Sequence, residues 1–412
     1  MKRHSCLRCI TCVGAAIAVA LIATPAVAGG YSQGFQGAQS AGISGAVTAR
    51  PDMPEAGYYN PAGWTLQQQW GIGGGGSLII PIVIHEDPST GRQTRAEVDG
   101  AFPPNVHAFG NWRDFAAGIS VGVSHGAGLQ WPEDWPGRFE VTSTSLQAIE
   151  ASPSVAWRPL DRLAIGGGPR FVWGRVGYER FIDFARPGEE GFVGLEADAP
   201  GVGAQLGVWG AVTDRVMLGA SWRSAIDLEF EGMANFEDIP IEMEDQAHDT
   251  MARTEMVLPH RFAAGVAYEV IGAGILSLDF EYTRWGAYET FDVTFDSDGV
   301  DDISEDRSWK HTLGMRAGAE YISPVDGLSV RSGLAIDPTP APEDTLTPAQ
   351  PDTDRTVMSL GAGYQVVEGL HFDMAYNFII LNRTTSADDG FSGIYDGQIH
   401  VFSVGMRATP WR

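Results

Sequence analysis

The chain has 412 residues, 44% hydrophobic and 10% aromatic, and a formal net charge of −25. A charge of that sign and size excludes nucleic-acid binding, which needs a basic footprint. Cys6, Cys9 and Cys12 are the three cysteines, and the nine histidines are scattered without H-E-x-x-H spacing, so no disulfide framework and no metal or other cofactor is expected.

Residues 1–28 read as an export signal. Lys2, Arg3 and Arg8 make a basic start, an apolar run follows from about Cys9 to Ala23, and Ala26-Val27-Ala28 offers small residues for cleavage. The run is shorter than the ~20 residues of a spanning helix, and cleavage would remove every cysteine. Residues 29–63 are rich in Gly, Ala and Ser and alternate only weakly. As a free tail this segment would be a flexible linker. Inside a barrel it would fill a lumen that otherwise leaks. It closes on Asn60-Pro61-Ala62, where proline fixes its own φ, holds Asn60 out of the helical region, and leaves the Asn side chain able to close a turn. An ordinary turn is the simpler alternative.

From there the pattern changes to period 2. In residues 311–321, Leu313, Met315, Ala317, Ala319 and Tyr321 share one parity, against Thr312, Gly314, Arg316, Gly318 and Glu320. Residues 276–283 and 371–380 behave alike, each with one oily and one wet face. Candidate strands fall at 67–84, 101–112, 114–126, 149–158, 162–178, 192–213, 215–234, 255–270, 273–293, 308–322, 327–337, 355–367, 369–380 and 396–409. They number about fourteen, many are 10 residues or longer, and Tyr282, Tyr321, Tyr364 and Tyr376 sit near the ends of oily faces. Those lengths and aromatic ends fit tilted membrane-spanning strands with interfacial girdles, and in lipid such strands must close. The expected fold is all-β: a transmembrane antiparallel β-barrel of about 14 strands with an N-terminal hatch, or plug, in the lumen, divided as signal 1–28, hatch 29–63 and barrel 64–412. Short turns such as 213–215, 323–327 and 366–369 alternate with longer loops, the sidedness of an outer-membrane barrel in a Gram-negative bacterium. The acidic segments 237–249 and 294–306 read as solvated loops, with divalent-cation binding as the alternative.

Four stretches resemble the FadL family of outer-membrane hydrophobic-compound transporters. They are Asn60-Pro61-Ala62; the Gly-rich third strand leading into Trp135-Pro136-Gly137-Arg138; Trp285, expected in a strand after an aromatic-acidic run; and a strand ending at Asp337, followed by Pro338, Pro340 and Pro342 and then Pro351-Asp352-Thr353-Asp354-Arg355. The resemblance implies passive uptake of long-chain fatty acids or other hydrophobic molecules, without ATP. Ligand would pass from an external groove to a site beside the hatch N-terminus, then leave sideways into the bilayer through an inward kink in the third strand. It also implies an aromatic residue at the ligand site. Tyr31 matches that position where phenylalanine is usual, and its hydroxyl needs a partner; Phe35 is the alternative.

For the kink, Gly118, Gly122, Gly126 and Gly128 permit bending or close backbone approach; relief of crowding at the wall is the simpler reading. A fatty acid's carboxylate needs a basic end to an apolar tunnel. Arg170, Arg175, Arg261 and Arg316 are candidates, unless they pair with lumen acids such as Glu269 or Glu320. The acidic loops disfavour an anion, which keeps aromatic and alkane substrates open. The three prolines are expected to stiffen an external loop, and Asp354 and Arg355 to pair with each other or with that loop. Expected partners are the hydrophobic substrate, outer-membrane lipid and the barrel insertion machinery, around a monomer. The competing function is a general porin or adhesin-like barrel without a substrate path. A barrel enzyme is disfavoured, since no G-x-S-x-G appears.

Overall fold

A computed structural model describes residues 30–67, 70–98, 100–186, 189–297, 302–386 and 391–409; the export segment expected at 1–28 lies outside the described residues. The extended segments join into a closed antiparallel barrel of 14 strands. These are β1 (Trp70–Glu86), β2 (Gln93–Arg95 and Pro104–Trp112), β3 (Phe115–Gln130), β4 (Ser143–Leu160), β5 (Leu163–Arg186), β6 (Glu189–Ala211) and β7 (Val216–Arg223 and Ile226–Glu237). They continue as β8 (Thr250–Leu258 and Arg261–Val270), β9 (Gly274–Thr283 and Thr290–Phe295), β10 (Ile303–Asp306 and Thr312–Ile322), β11 (Leu328–Asp337), β12 (Arg355–Val367), β13 (Leu370–Thr385) and β14 (Ile394–Ala408). β1 pairs with β14 from Ile72↔Ala408 to Glu86↔Ile394 and with β2 from Trp70↔Gly110 to Gly76↔Pro104, so the ladder returns on itself and closes the barrel.

The faces follow the sequence parity. In β10 Leu313, Met315 and Tyr321 are exposed while Gly314, Arg316 and Gly318 are buried; in β13 Met374 faces out while Asp373, Ala375 and Asn377 face in. Outward Trp112, Phe115, Trp157, Tyr268, Tyr321 and Tyr364 stand beside the short turns, and the paired Phe262 and Tyr282 lie at the opposite end of the ladder between Arg261–Val270 and Gly274–Thr283. Apolar surface bounded by aromatic rings is the outside of a bilayer-spanning barrel.

The plug occupies the lumen. It contains two single-turn helices, α1 (Ala38–Ala41) and α2 (Ala56–Tyr59), and a 3₁₀ turn at Pro61–Leu66. The chain enters the wall at Trp70 rather than at residue 64, because Pro61 starts that turn and Trp64 is wedged among Ala56, Phe109, Ala116 and Ala156. Ile43, Val47 and Met53 form a small core within the plug. Glycines on three neighbouring strands make room for its backbone. A Cβ on Gly318 would stand 2.8 Å from that of Ile43, one on Gly361 2.9 Å from the Cα of Gly42, and one on Gly333 would strike the carbonyl carbon of Ile43.

Candidate ligand site

Asn60 joins plug to wall. Its Oδ1 accepts the Ala62 N–H at 3.2 Å, closing the local turn, and its Nδ2 donates to Thr48 O at 2.9 Å and to Val208 O on β6 at 3.0 Å. Gly166 on β5 and Gly207 on β6 are bare where Pro61 and Asn60 press on them. Trp209, Gln205 and Arg223 also donate to plug carbonyls, at Ala49, Gly57 and Tyr58.

β3 leaves its neighbour. It pairs with β2 from Trp112↔Phe115 to Asn105↔Gly122, and follows β4 as far as Gln130↔Ser143 with Ser124 bulged between Val123↔Ile149 and His125↔Ala148. The extra residue breaks the alternation, so Val123, Ser124, His125 and Gly126 are all buried. The plug takes up the freed edge: Ser32 bridges His125, Gly126 N–H donates to Tyr31 O at 2.8 Å, Gln33 N–H donates to Ser124 O at 3.0 Å, and Gln36 Nε2 donates to Val123 O at 2.7 Å. Farther along, Glu97 N–H donates to Gln130 O at 2.7 Å and ties β3 to the segment between the two pieces of β2. None of Gly118, Gly122, Gly126 and Gly128 has a positive φ. Gly118 lies within the paired stretch, where a Cβ would stand 2.7 Å from the Trp64 ring; at Gly122 one would stand 2.6 Å from Gln36 Oε1. The bulge itself falls on a serine.

Behind the bend lies a partly open cavity. Ala127, Gly128 and Leu129 of β3, with Leu146, Val176 and Met256, give it an apolar wall. Tyr31 stands at its edge, stacked 5.4 Å from Trp309 and edge-on to Trp285 and Tyr288 at 6.2 Å. The Tyr31 hydroxyl donates to Gln350 Oε1, the partner a buried phenol needs, and burial holds its pKa well above the usual value. The preceding residue is fixed too: Gly30 N–H donates at 3.0 Å to Asp352, which also pairs with Arg355 and accepts from Thr339 Oγ1 at 2.7 Å. Asp354 instead accepts from Thr339 N–H at 2.8 Å. The Pro351–Arg355 motif thus clasps the start of the plug. Phe35 lines a second cavity on the other side of this segment, with Arg261, Glu281, Arg316 and Asp337.

Of the four candidate arginines, the fold brings Arg261 and Arg316 together at the Phe35 cavity, where both reach Glu281, and none of the four lines the Tyr31 cavity. Arg170 is buried and bonded to Glu150 at 2.8 Å, which Arg223 shares at 2.5 Å. Arg261 pairs with Glu281 at 2.5 Å, and Arg316 with Asp337 at 2.9 Å. Arg175 is 64% exposed and pairs with Asp198 at 2.8 Å. Glu320 is also paired, but with Arg50 and Arg331. The cation that does line the Tyr31 cavity is Arg307, which donates to Glu305 at 2.7 Å and to Thr347 Oγ1 at 3.0 Å. Its sequence signal was faint: one basic residue in an acidic run, two positions before Trp309. Trp285 lies in a 3₁₀ turn (Trp285–Ala287), not a strand, because the ring folds inward onto Tyr31 and Trp309.

Fold and cavity define a plugged outer-membrane β-barrel. The family model described as outer membrane protein transport protein (OMPP1/FadL/TodX) matches residues 19–409, and the chain belongs to that family. It is similar to the long-chain fatty acid transport protein of Escherichia coli O6:H1, 24% identical over 407 residues, covering 88% of this chain and 90% of that one. Outer membrane protein P1 of Haemophilus influenzae is 23% identical over 314 residues, 69% and 67% of the two chains. Among solved structures, a Pseudomonas aeruginosa FadL homologue superposes with a TM-score of 0.80 at 20% identity, covering 92% and 99% of the two chains. The P. putida toluene transporter TodX does so with a TM-score of 0.74 at 15% identity, covering 91% and 99%.

Proposed function

We propose that the protein passively carries hydrophobic molecules, long-chain fatty acids or uncharged hydrocarbons, from outside to the Tyr31 cavity and then sideways into the bilayer where β3 leaves β2. The observation that carries this reading is the continuity of an apolar cavity with a strand edge that β2 leaves: Ala127, Gly128 and Leu129 line the cavity, stay paired with β4 and lie beyond the last β2–β3 pair. A closed ladder offers no sideways path; a bulged strand with its edge held only by a plug offers one. The relatives' names, a fatty acid transporter and a toluene transporter, support the same class of cargo. The arginines beside the two cavities carry acidic partners, which favours an uncharged or weakly held ligand. Ala127→Trp, which fills the cavity at the bend, should lower uptake of labelled oleate and labelled hexadecane by cells at least fivefold relative to the parent protein. Equal uptake by parent, variant and cells lacking the protein would sink the reading.

A further inference from the structure

The ladder is broken a second time, between β8 and β9. Their lower pieces pair continuously from Val270↔Gly274 to Arg261↔Thr283, and their upper pieces meet at Thr254↔Val293, Arg253↔Thr294 and Ala252↔Phe295. Between these ladders residues 284–292 of β9 face the shorter stretch 255–260 of β8, and the surplus folds inward at Trp285–Ala287. Arg284 N–H donates to His260 O at 3.0 Å and closes the foot of the gap. What remains is a notch of about 940 Å³ counted to its mouth, lined among others by Glu255, Val257, Tyr288, Glu289, Thr290 and Asp292. It lies directly beyond the paired outward rings of Phe262 and Tyr282, where an apolar band gives way to the polar zone of the outer leaflet.

Little separates this notch from the Tyr31 cavity. Thr254 lines both, and its buried hydroxyl has no hydrogen-bond partner. Tyr288 lines the notch, and its ring stands 6.2 Å from Tyr31 and 5.0 Å from Trp309. We propose that the β8–β9 notch is a second port into the Tyr31 cavity, closed by the Tyr288 ring and admitting uncharged apolar molecules from the outer leaflet's polar zone. The port rests on the reading of the Tyr31 cavity as a hydrophobic ligand site. Its selectivity follows from charge. Glu255, Glu289 and Asp292 line the notch, and among the described residues the one cation there, Arg253, is already held by Asp296 and by Glu231 at 3.2 Å. An anion approaching that lining is repelled, and an uncharged molecule is not.

Access can be read without measuring uptake. No cysteine follows Cys12, so Leu146→Cys places a single thiol in the inner cavity of the mature chain, with Val176→Cys as a second reporter if the first fails to fold. Adding Tyr288→Ala should speed reaction with N-ethylmaleimide at least tenfold, and adding Thr290→Trp on top, which fills the notch, should return the rate to that of the reporter alone. A carboxylate-bearing maleimide of similar size should react at least tenfold more slowly through the Tyr288→Ala opening. No acceleration by Tyr288→Ala, or acceleration that Thr290→Trp leaves intact, overturns the port; equal rates for the two reagents overturn its preference for uncharged molecules. Failure of oleate and hexadecane uptake would count against the transport reading alone, since thiol access is read separately.

Discussion

In β10, lipid-facing Met315 and Tyr321 alternate with inward Arg316 and Gly318, and the ladders to β9 and β11 hold Met315 to Tyr321 in register on both sides. In the plug, residues 36–51 are buried continuously, without any period. The difference lies in where backbone groups find partners. Away from the β3 edge that the plug takes up, the wall satisfies its own through the ladder. The plug, with only two single-turn helices, borrows from the wall: Asn377 donates to Ala41 O at 2.8 Å, Asp279 accepts from Thr48 N–H at 2.7 Å, and Ser44 and Ser359 share a hydroxyl contact at 2.5 Å. A wall held mostly by its own ladder encloses a plug that has little regular structure of its own.

Three experiments bear on that asymmetry. The largest effect is expected from deleting residues 30–59. The barrel should still show the heat-dependent gel mobility of a closed sheet, because its ladder is untouched and its charged inner face hydrates. Planar bilayers should then carry a large steady current that the intact protein lacks. Loss of the folded band would show that the wall depends on its plug. Asn60→Ala should come next. It removes three hydrogen bonds at the join, worth roughly 2–4 kcal/mol at about 1 kcal/mol each, so amide exchange in residues 37–59 should accelerate by tens- to hundreds-fold while the strands stay protected. Uniform acceleration across plug and wall would mean the two unfold as one.

The smallest effect concerns Glu55, buried in the plug with its carboxylate accepting the Ser40 N–H at 3.0 Å. Burial raises its pKa above the usual carboxylate value. A raised folded-state pKa means the fold favours the protonated acid, so this contribution is complete below the unfolded carboxylate's pKa and fades as pH rises through the folded one. Plug protection, corrected for intrinsic exchange, should therefore be greater at pH 4 than at pH 7. Glu55→Gln should flatten the difference; an unchanged profile would assign it to another group, such as Asp352, whose pKa burial also raises.

Period 2 made the wall legible wherever one face meets lipid. The inner parts of β9, β10 and β13 carry the parity that the residues display. The outer reaches of β5 and β6 were under-read, since Glu179, Arg180, Asp183 and Glu190 put charge there instead of an oily face. The interruptions of β7 to β10 were invisible for the converse reason: an inward turn such as Trp285–Ala287 keeps aromatic residues coming and mimics a continuing strand. Asn60 was findable because its Asx turn is local. Arg307 was not, because its place at the Tyr31 cavity depends on Thr347 arriving from a distant loop, while its local partner Glu305 is one acid in an acidic run. The bulge at Ser124 was equally hidden, since no turn residue marks it.

The fit of Gly42 and Ile43 against Gly318, Gly333 and Gly361 leaves backbone touching backbone, with no clearance for a side chain to slide past. A segment seated so tightly cannot be threaded into a finished cylinder. That fit favours an order of assembly in which residues 36–51 lie against β10 to β13 before β1 zips onto β14, so that the final seam seals around its contents.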